Sequence, residues 1–166
     1  MEKALKVLNR LEADGVIGRY AIGGAMAAVF YAEPTMTFDL DIFVSFPESK
    51  SVLISLTPLY EALSALGYRP DGECVMIEGV PVQFLPAYND LVDEALANAA
   101  DQRYHDTATR VLKAEYLVAI ALQTGRAKDR ARVELLRGEA GLDYALLEDI
   151  IKRYGLSGRW AEWTLR

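Results

Sequence analysis

The stretch Thr37-Phe38-Asp39-Leu40-Asp41-Ile42, continued by Phe43-Val44-Ser45-Phe46, decides the fold of this 166-residue chain. Apolar residues at every second position predict a β-strand from Thr37 to Phe46. Asp39 and Asp41 project from the same face of that strand, with their α-carbons about 6.6–6.8 Å apart. Because Mg²⁺ prefers oxygen ligands and often takes only one or two protein carboxylates, this pair is a candidate metal site. Two solvated surface acids are the alternative interpretation.

A glycine pair precedes this strand. Gly23 and Gly24 follow the strand-like run Arg19–Ile22 and open the run Ala25–Tyr31, whose composition favours a helix. Glycines at such a turn let the backbone approach a ligand closely, and the positive end of a helix suits a phosphate group. A simple packing turn is the alternative. A phosphate-binding turn followed by two carboxylates indicates a nucleotide site, in which Mg²⁺ joins the acids to the phosphates.

Composition and charge exclude several classes of protein. The formal net charge of −6 provides no general basic field, so any RNA contact depends on a local patch. The single cysteine, Cys74, excludes an internal disulfide, and the single histidine, His105, excludes a histidine-cluster metal site. No apolar run reaches the length of a signal segment or a membrane span. We therefore expect a cytoplasmic protein without a membrane partner.

The remaining periodicity predicts a β-rich first part and a helical second part. A hairpin is expected from Glu73–Ile77 and Val80–Leu85, a polar connection over 101–106 and a short strand over 107–111. Helices are expected over residues 2–13, 52–66, 88–100, 114–124, 128–137 and 144–154. The predicted fold class is α/β, a mixed sheet flanked by helices. We expect one domain over 1–166, with a β-rich core over about 1–100 and a helical part over about 107–166.

Three stretches carry a resemblance to a known family: Ile22–Ala27, Thr37–Ile42, and Glu115–Leu117 running on to Gly125-Arg126-Ala127-Lys128-Asp129. The chain resembles the nucleotidyltransferase superfold of the polymerase-β type, and more closely the minimal nucleotidyltransferases related to AbiEii-type toxins. The resemblance implies that Gly23 and Gly24 contact nucleotide phosphates and that Asp39 and Asp41 bind two Mg²⁺ ions. It also implies that Lys128 and Asp129 close the nucleotide cleft from the helical side.

The function implied by the resemblance is Mg²⁺-dependent transfer of a nucleoside monophosphate from a nucleoside triphosphate, such as ATP, to a hydroxyl acceptor. The acceptor can be RNA, a protein or a small molecule. A toxin of a toxin–antitoxin pair is the expected biological setting, with a cognate antitoxin as a further partner.

The sequence departs from the family pattern at three positions. Gln83 stands where a third carboxylate is expected, and a neutral carboxamide cannot act as a general base. Glu73 or Glu78, from the same hairpin, is a candidate replacement. Ala121 stands where a lysine is common in the toxin-like branch, and Arg132 replaces an acid.

These departures allow more than one interpretation. Lys128 or Arg126 can supply the positive charge that the missing lysine would provide. Alternatively, the basic residues over 126–132 form only a solvated helix start. A catalytically lapsed module that binds a nucleotide or a partner is therefore the alternative function, and a purely structural protein with two exposed acids is the third.

Overall fold

A computed structural model describes residues 1–33, 37, 39–46 and 55–165. The described residues form a mixed sheet of seven strands: β1 (Tyr20–Ile22), β2 (Leu40–Val44), β3 (Pro70–Asp71), β4 (Cys74–Ile77), β5 (Val80–Pro86), β6 (Ala100–Tyr104) and β7 (Thr107–Val111). Their order across the sheet is β3-β4-β5-β2-β1-β7-β6. The acid-bearing strand is therefore central, as predicted.

The register around β2 brings the predicted site residues into one row. β2 runs antiparallel to β1 and parallel to β5, with Asp41 opposite Gln83. The backbone N–H of Gly23, directly after β1, donates to the carbonyl of Asp41 at 2.9 Å. Directly opposed residues in a sheet project from the same face. The position expected to carry a third carboxylate is thus beside Asp41, and glutamine occupies it.

Eight helices occur in the described residues: α1 (Glu2–Ala13), α2 (Gly24–Ala28), α3 (Thr57–Ala65), α4 (Asp90–Ala97), α5 (Ala114–Thr124), α6 (Ala127–Glu139), α7 (Tyr144–Arg153) and α8 (Ser157–Thr164). α1 packs on β7, and α2 packs on β2. α5 is buried along most of its length and contacts α2, α4, α6 and α7. α5 therefore joins α6 and α7 to α2 and α4, which both pack on β2. No described helix is long and apolar enough to cross a membrane.

Most predicted elements are confirmed, one prediction is wrong and one helix was missed. Residues 101–106 are not a polar connection, because β6 and β7 form a hairpin closed by His105 and Asp106, with His105 at φ +51°. β6 lies at the sheet edge, where alternate side chains remain exposed, so its sequence is polar. α8 was not predicted. Of the strand predicted over 37–46, only Leu40–Val44 forms β2. Phe38, and residues 52–54 of a predicted helix, lie outside the described residues.

A single carboxylate joins three helices of the second part. Glu94, on α4, accepts hydrogen bonds from the Tyr116 hydroxyl on α5 at 2.8 Å and from the Tyr154 hydroxyl at 2.5 Å. Arg153, at the end of α7, donates to both oxygens of Glu94 at 2.7 Å. These bonds, the Arg153 pair foremost, lower the pKa of Glu94 to about 2. α4, α5 and α7 are therefore held together by an ionised carboxylate.

Replacing Glu94 by glutamine is expected to lower the free energy of unfolding by about 1.5–3 kcal/mol near neutral pH, because hydrogen bonds to a charged acceptor are lost. The pKa of Glu94 is lower in the folded than in the unfolded chain, so its contribution is complete above about pH 4.5 and lost as the pH falls towards 2. Urea unfolding of wild type and E94Q should therefore converge at acid pH. Asp149→Asn removes only an exposed partner of Arg153 and should cost less than about 0.5 kcal/mol. Equal losses in the two variants would contradict the assignment.

Candidate active site

A cleft of about 820 Å³ opens between the end of the sheet that carries the acids and the helices α5 and α6. The sheet side contributes Asp39, Asp41 and Gln83, and the turn into α2 contributes Gly24. The helical side includes Ala121 from α5 and, from the start of α6, Asp129 with the basic residues Arg126, Lys128 and Arg132. The cleft thus brings together most of the residues that the sequence singled out, which lie up to about a hundred positions apart in the chain.

The two glycines are required by close packing against β2. A Cβ atom on Gly24 would lie 1.8 Å from Asp41 Oδ2. Gly24 also has φ +59°, a backbone conformation that residues with a side chain rarely adopt. A Cβ on Gly23 would lie 2.2 Å from the Phe43 ring. Gly24 lies directly against the Asp41 carboxylate, and Gly23 itself is not on the cleft surface as the structure describes it. The pair therefore sets how closely α2 approaches the acids.

Asp41 is half-buried, whereas Asp39 is exposed at the cleft mouth. Burial raises the pKa of Asp41, and the nearby Asp39 carboxylate raises it further, while Arg132, Lys128 and Arg126 act in the opposite direction. A buried carboxylate next to a second carboxylate is stabilised by a bound cation. The charges on α6 reach Asp41 across the cleft, so the two walls form one electrostatic unit.

Gln83 lies beside further acids. Its amide Nε2 donates to Glu73 Oε2 at 3.4 Å, and Glu73 is exposed. Burial raises the pKa of the neighbouring Cys74 thiol, and Asp39, Asp41, Glu73 and Asp71 raise it further. Glu78 is the turn residue that its position suggested, with φ 52°, and accepts from the Tyr68 hydroxyl at 2.6 Å. Glu73, and not Glu78, is therefore the hairpin acid that contacts Gln83.

Asp129 is the most deeply buried charged group of the cleft, with 1% of its surface exposed. Its carboxylate accepts from the backbone N–H of Arg126 at 3.2 Å and from Arg126 Nε at 2.7 Å. It also accepts from Arg132 Nη1 at 3.2 Å. Asp129 therefore fixes the start of α6 and holds two guanidinium groups at once.

Two features in or beside the cleft were missed by sequence reasoning. Tyr88, between β5 and α4, is 54% exposed at the cleft wall. Partial burial raises the pKa of its hydroxyl, Arg126 opposes that rise and Asp129 adds to it. Arg159 of the unpredicted α8 donates to the backbone carbonyls of Leu122 and Gln123 and so secures the end of α5 just before α6. Neither position carries a local motif, because both act through tertiary contacts.

Other motif residues have structural contacts. Glu115 is buried and accepts from the backbone N–H of Asp143 at 2.8 Å, which joins α5 to the start of α7. Tyr116 belongs to the Glu94 cluster, and His105 lies in the distant β6–β7 turn. Within the described part of the chain, no three or more His, Cys, Asp or Glu side chains are grouped closely enough to hold a metal ion. The carboxylate pair therefore lacks a third acid there.

Comparison with solved structures shows which fold this is. ANT(2'')-Ia, solved in complex with adenylyl-2''-tobramycin, is 16% identical and matches with a TM-score of 0.56 over 95% of this chain and 98% of its own. An antigenic nucleotidyltransferase-like protein from Paracoccidioides brasiliensis is 15% identical, with a TM-score of 0.60 over 95% and 91% of the two chains. No protein-family model and no curated protein matches the sequence. The chain has the nucleotidyltransferase fold.

Replacing Gly24 by alanine tests the close packing at the acids. We expect G24A to lose at least about 1 kcal/mol more stability than G15A, because the added Cβ must also displace the Asp41 carboxylate. Gly15 is a matched control, since it has φ +71° and open space around its Cβ position, so G15A reports the backbone cost alone, about 1–2 kcal/mol. Urea unfolding measures both. Indistinguishable losses would show that Gly24 is not packed against Asp41.

Proposed function

We propose that this protein transfers a nucleoside monophosphate from a nucleoside triphosphate to a hydroxyl acceptor. The observation that carries the proposal is the shared cleft, in which two carboxylates, the Gly24 turn and the basic start of α6 face the same space. The fold supports it, because proteins of this fold include ANT(2'')-Ia, whose solved complex contains an adenylylated tobramycin.

The side chains of the cleft suit Mg²⁺. Asp39 and Asp41 supply charged oxygen ligands, and the raised pKa of Asp41, due first to burial, indicates a site that favours a nearby cation. Gln83, opposite Asp41, adds a neutral amide oxygen of the same hard class. When bound, Mg²⁺ neutralises the phosphate charge and polarises the phosphoryl oxygens. Asp39 and Asp41 are the residues that would hold it.

The other residues would bind and orient the triphosphate. The first turn of α2, which begins at Gly24, presents backbone N–H groups without helical acceptors. Lys128 and the arginines of α6 face the acids and oppose the negative charge of the phosphates. The acceptor oxygen attacks the α-phosphorus, a new O–P bond forms, and the bond to the bridging oxygen breaks to release pyrophosphate. The hydroxyl proton passes to solvent, because Gln83 is a neutral amide and the Asp39 and Asp41 carboxylates would hold the metal.

A relation to AbiEii-type toxins, a toxin role, an antitoxin partner and a cytoplasmic location stay predictions of the sequence. The catalytically lapsed binding module also stays an alternative, because Gln83 occupies the position beside Asp41 where a third carboxylate was expected.

Label transfer tests the function directly. Purified protein is incubated with each α-³²P-labelled nucleoside triphosphate, Mg²⁺ and an acceptor panel of total RNA, protein and tobramycin. We expect wild type to label one acceptor class, and Asp41→Asn or Asp39→Asn to reduce the rate by at least about 100-fold, because a charged metal ligand becomes neutral.

Asp101→Asn is the matched control. Asp101 is a carboxylate on β6, away from the cleft and 93% exposed, so its loss should leave the rate unchanged. Triphosphate binding without transfer to any acceptor would favour the binding module. Transfer that persists in both Asp39→Asn and Asp41→Asn would contradict the proposed site.

A further inference from the structure

The buried carboxylate of Asp129 organises the positive wall of the cleft. A carboxylate with 1% exposure is costly unless its charge is compensated. Arg126 and Arg132 provide that compensation, one through Nε and one through Nη1. Because one rigid acid holds both arginines, their guanidinium groups are fixed relative to α6 rather than free to rotate in solvent.

Arg132 is the more deeply buried member of this pair. Its side chain is 16% exposed, whereas that of Arg126 is 56% exposed. Arg132 lines the same cleft as Asp41 and Gly24. Its guanidinium group is therefore held on the cleft surface that faces the carboxylate pair.

Arg132 keeps N–H donors for a ligand of the cleft. Ala121, on α5, lines the same cleft, and its short side chain supplies neither bulk nor charge. Arg132 uses Nη1 for Asp129, and a guanidinium group has five N–H donors in all, so it can bind phosphate oxygens in the same position. A planar cation fixed at one edge by a buried acid is suited to a polyphosphate chain.

We propose that Arg132 binds the β- and γ-phosphates of the nucleotide and that Asp129 is the positioning residue that holds Arg132, and beside it Arg126, for this contact. The inference rests on the proposed function, because it concerns the same cleft. It assigns Asp129 no contact with the nucleotide, since its carboxylate is already occupied by the two arginines. The preference for a triphosphate over a monophosphate then comes from α6.

Calorimetric titration tests this inference without any catalytic turnover. Each α,β-methylene nucleoside triphosphate and the matching monophosphate are titrated into the protein with Mg²⁺ present. We expect wild type to prefer the triphosphate, and Arg132→Ala to lower triphosphate affinity by about 10- to 100-fold while monophosphate affinity changes little, because charge-assisted bonds to the outer phosphates are lost. Arg132→Lys should retain part of the preference.

Asp129→Asn tests the positioning role. The amide keeps an oxygen acceptor but loses the charge that fixes the arginines, so the ratio of triphosphate to monophosphate affinity should fall, an effect that a purely structural residue would not produce. Arg130→Ala is the control, because Arg130 lies on the same helix, pairs with Glu134 and is not part of the cleft lining. The ratio of triphosphate to monophosphate affinity in Arg130→Ala should match that of wild type.

The outcomes separate this inference from the proposed function. An unchanged ratio in Arg132→Ala would overturn the phosphate contact, and an unchanged ratio in Asp129→Asn would overturn the positioning role. A wild type without triphosphate preference would overturn both. A wild type that prefers triphosphates through Arg132, yet transfers no label, would support the inference while the transferase proposal fails.

Discussion

The contact between Gly24 and Asp41 is the constraint on which the site depends. No side chain larger than hydrogen fits between the turn and the carboxylate, since a Cβ would lie 1.8 Å from Asp41 Oδ2. This places the first turn of α2 directly against the acid-bearing strand β2. The backbone N–H of Gly23 also donates a hydrogen bond to the Asp41 carbonyl, which joins the same two segments through their backbones. Turn and acid therefore act as one rigid unit, as a reacting centre requires.

The opposite wall is built by a different principle. Asp129 is buried and charged, and its arginine partners offset the cost of that burial while they direct positive charge towards the cleft. Arg159 of α8 secures the helix end before this segment. The negatively charged aspartates of the sheet thus face the positively charged start of α6. This arrangement of opposite charges suits a metal ion bound to a phosphate chain between them.

The sheet side of the site could be predicted from sequence because its signals are local. Strict alternation around Asp39 and Asp41 fixes a face, and two glycines between a strand and a helix mark a tight turn. The family resemblance indicated that Gln83 stands where a third acid is expected, and the parallel register of β2 and β5 places it opposite Asp41. The arrangement of side chains on the helical side of the cleft could not be predicted from the sequence in this way. Whether Arg132 faces solvent or the cleft depends on how α6 packs, which no periodicity of its charges reveals.

The most direct measurement of the central claim is a crystal structure of the protein grown with an α,β-methylene triphosphate and Mn²⁺, whose anomalous signal locates the metal. The account predicts metal between Asp39 and Asp41, with the phosphates lying between Gly24 and the start of α6. Metal and nucleotide bound elsewhere, or an ordered cleft with neither present at saturating ligand, would contradict it.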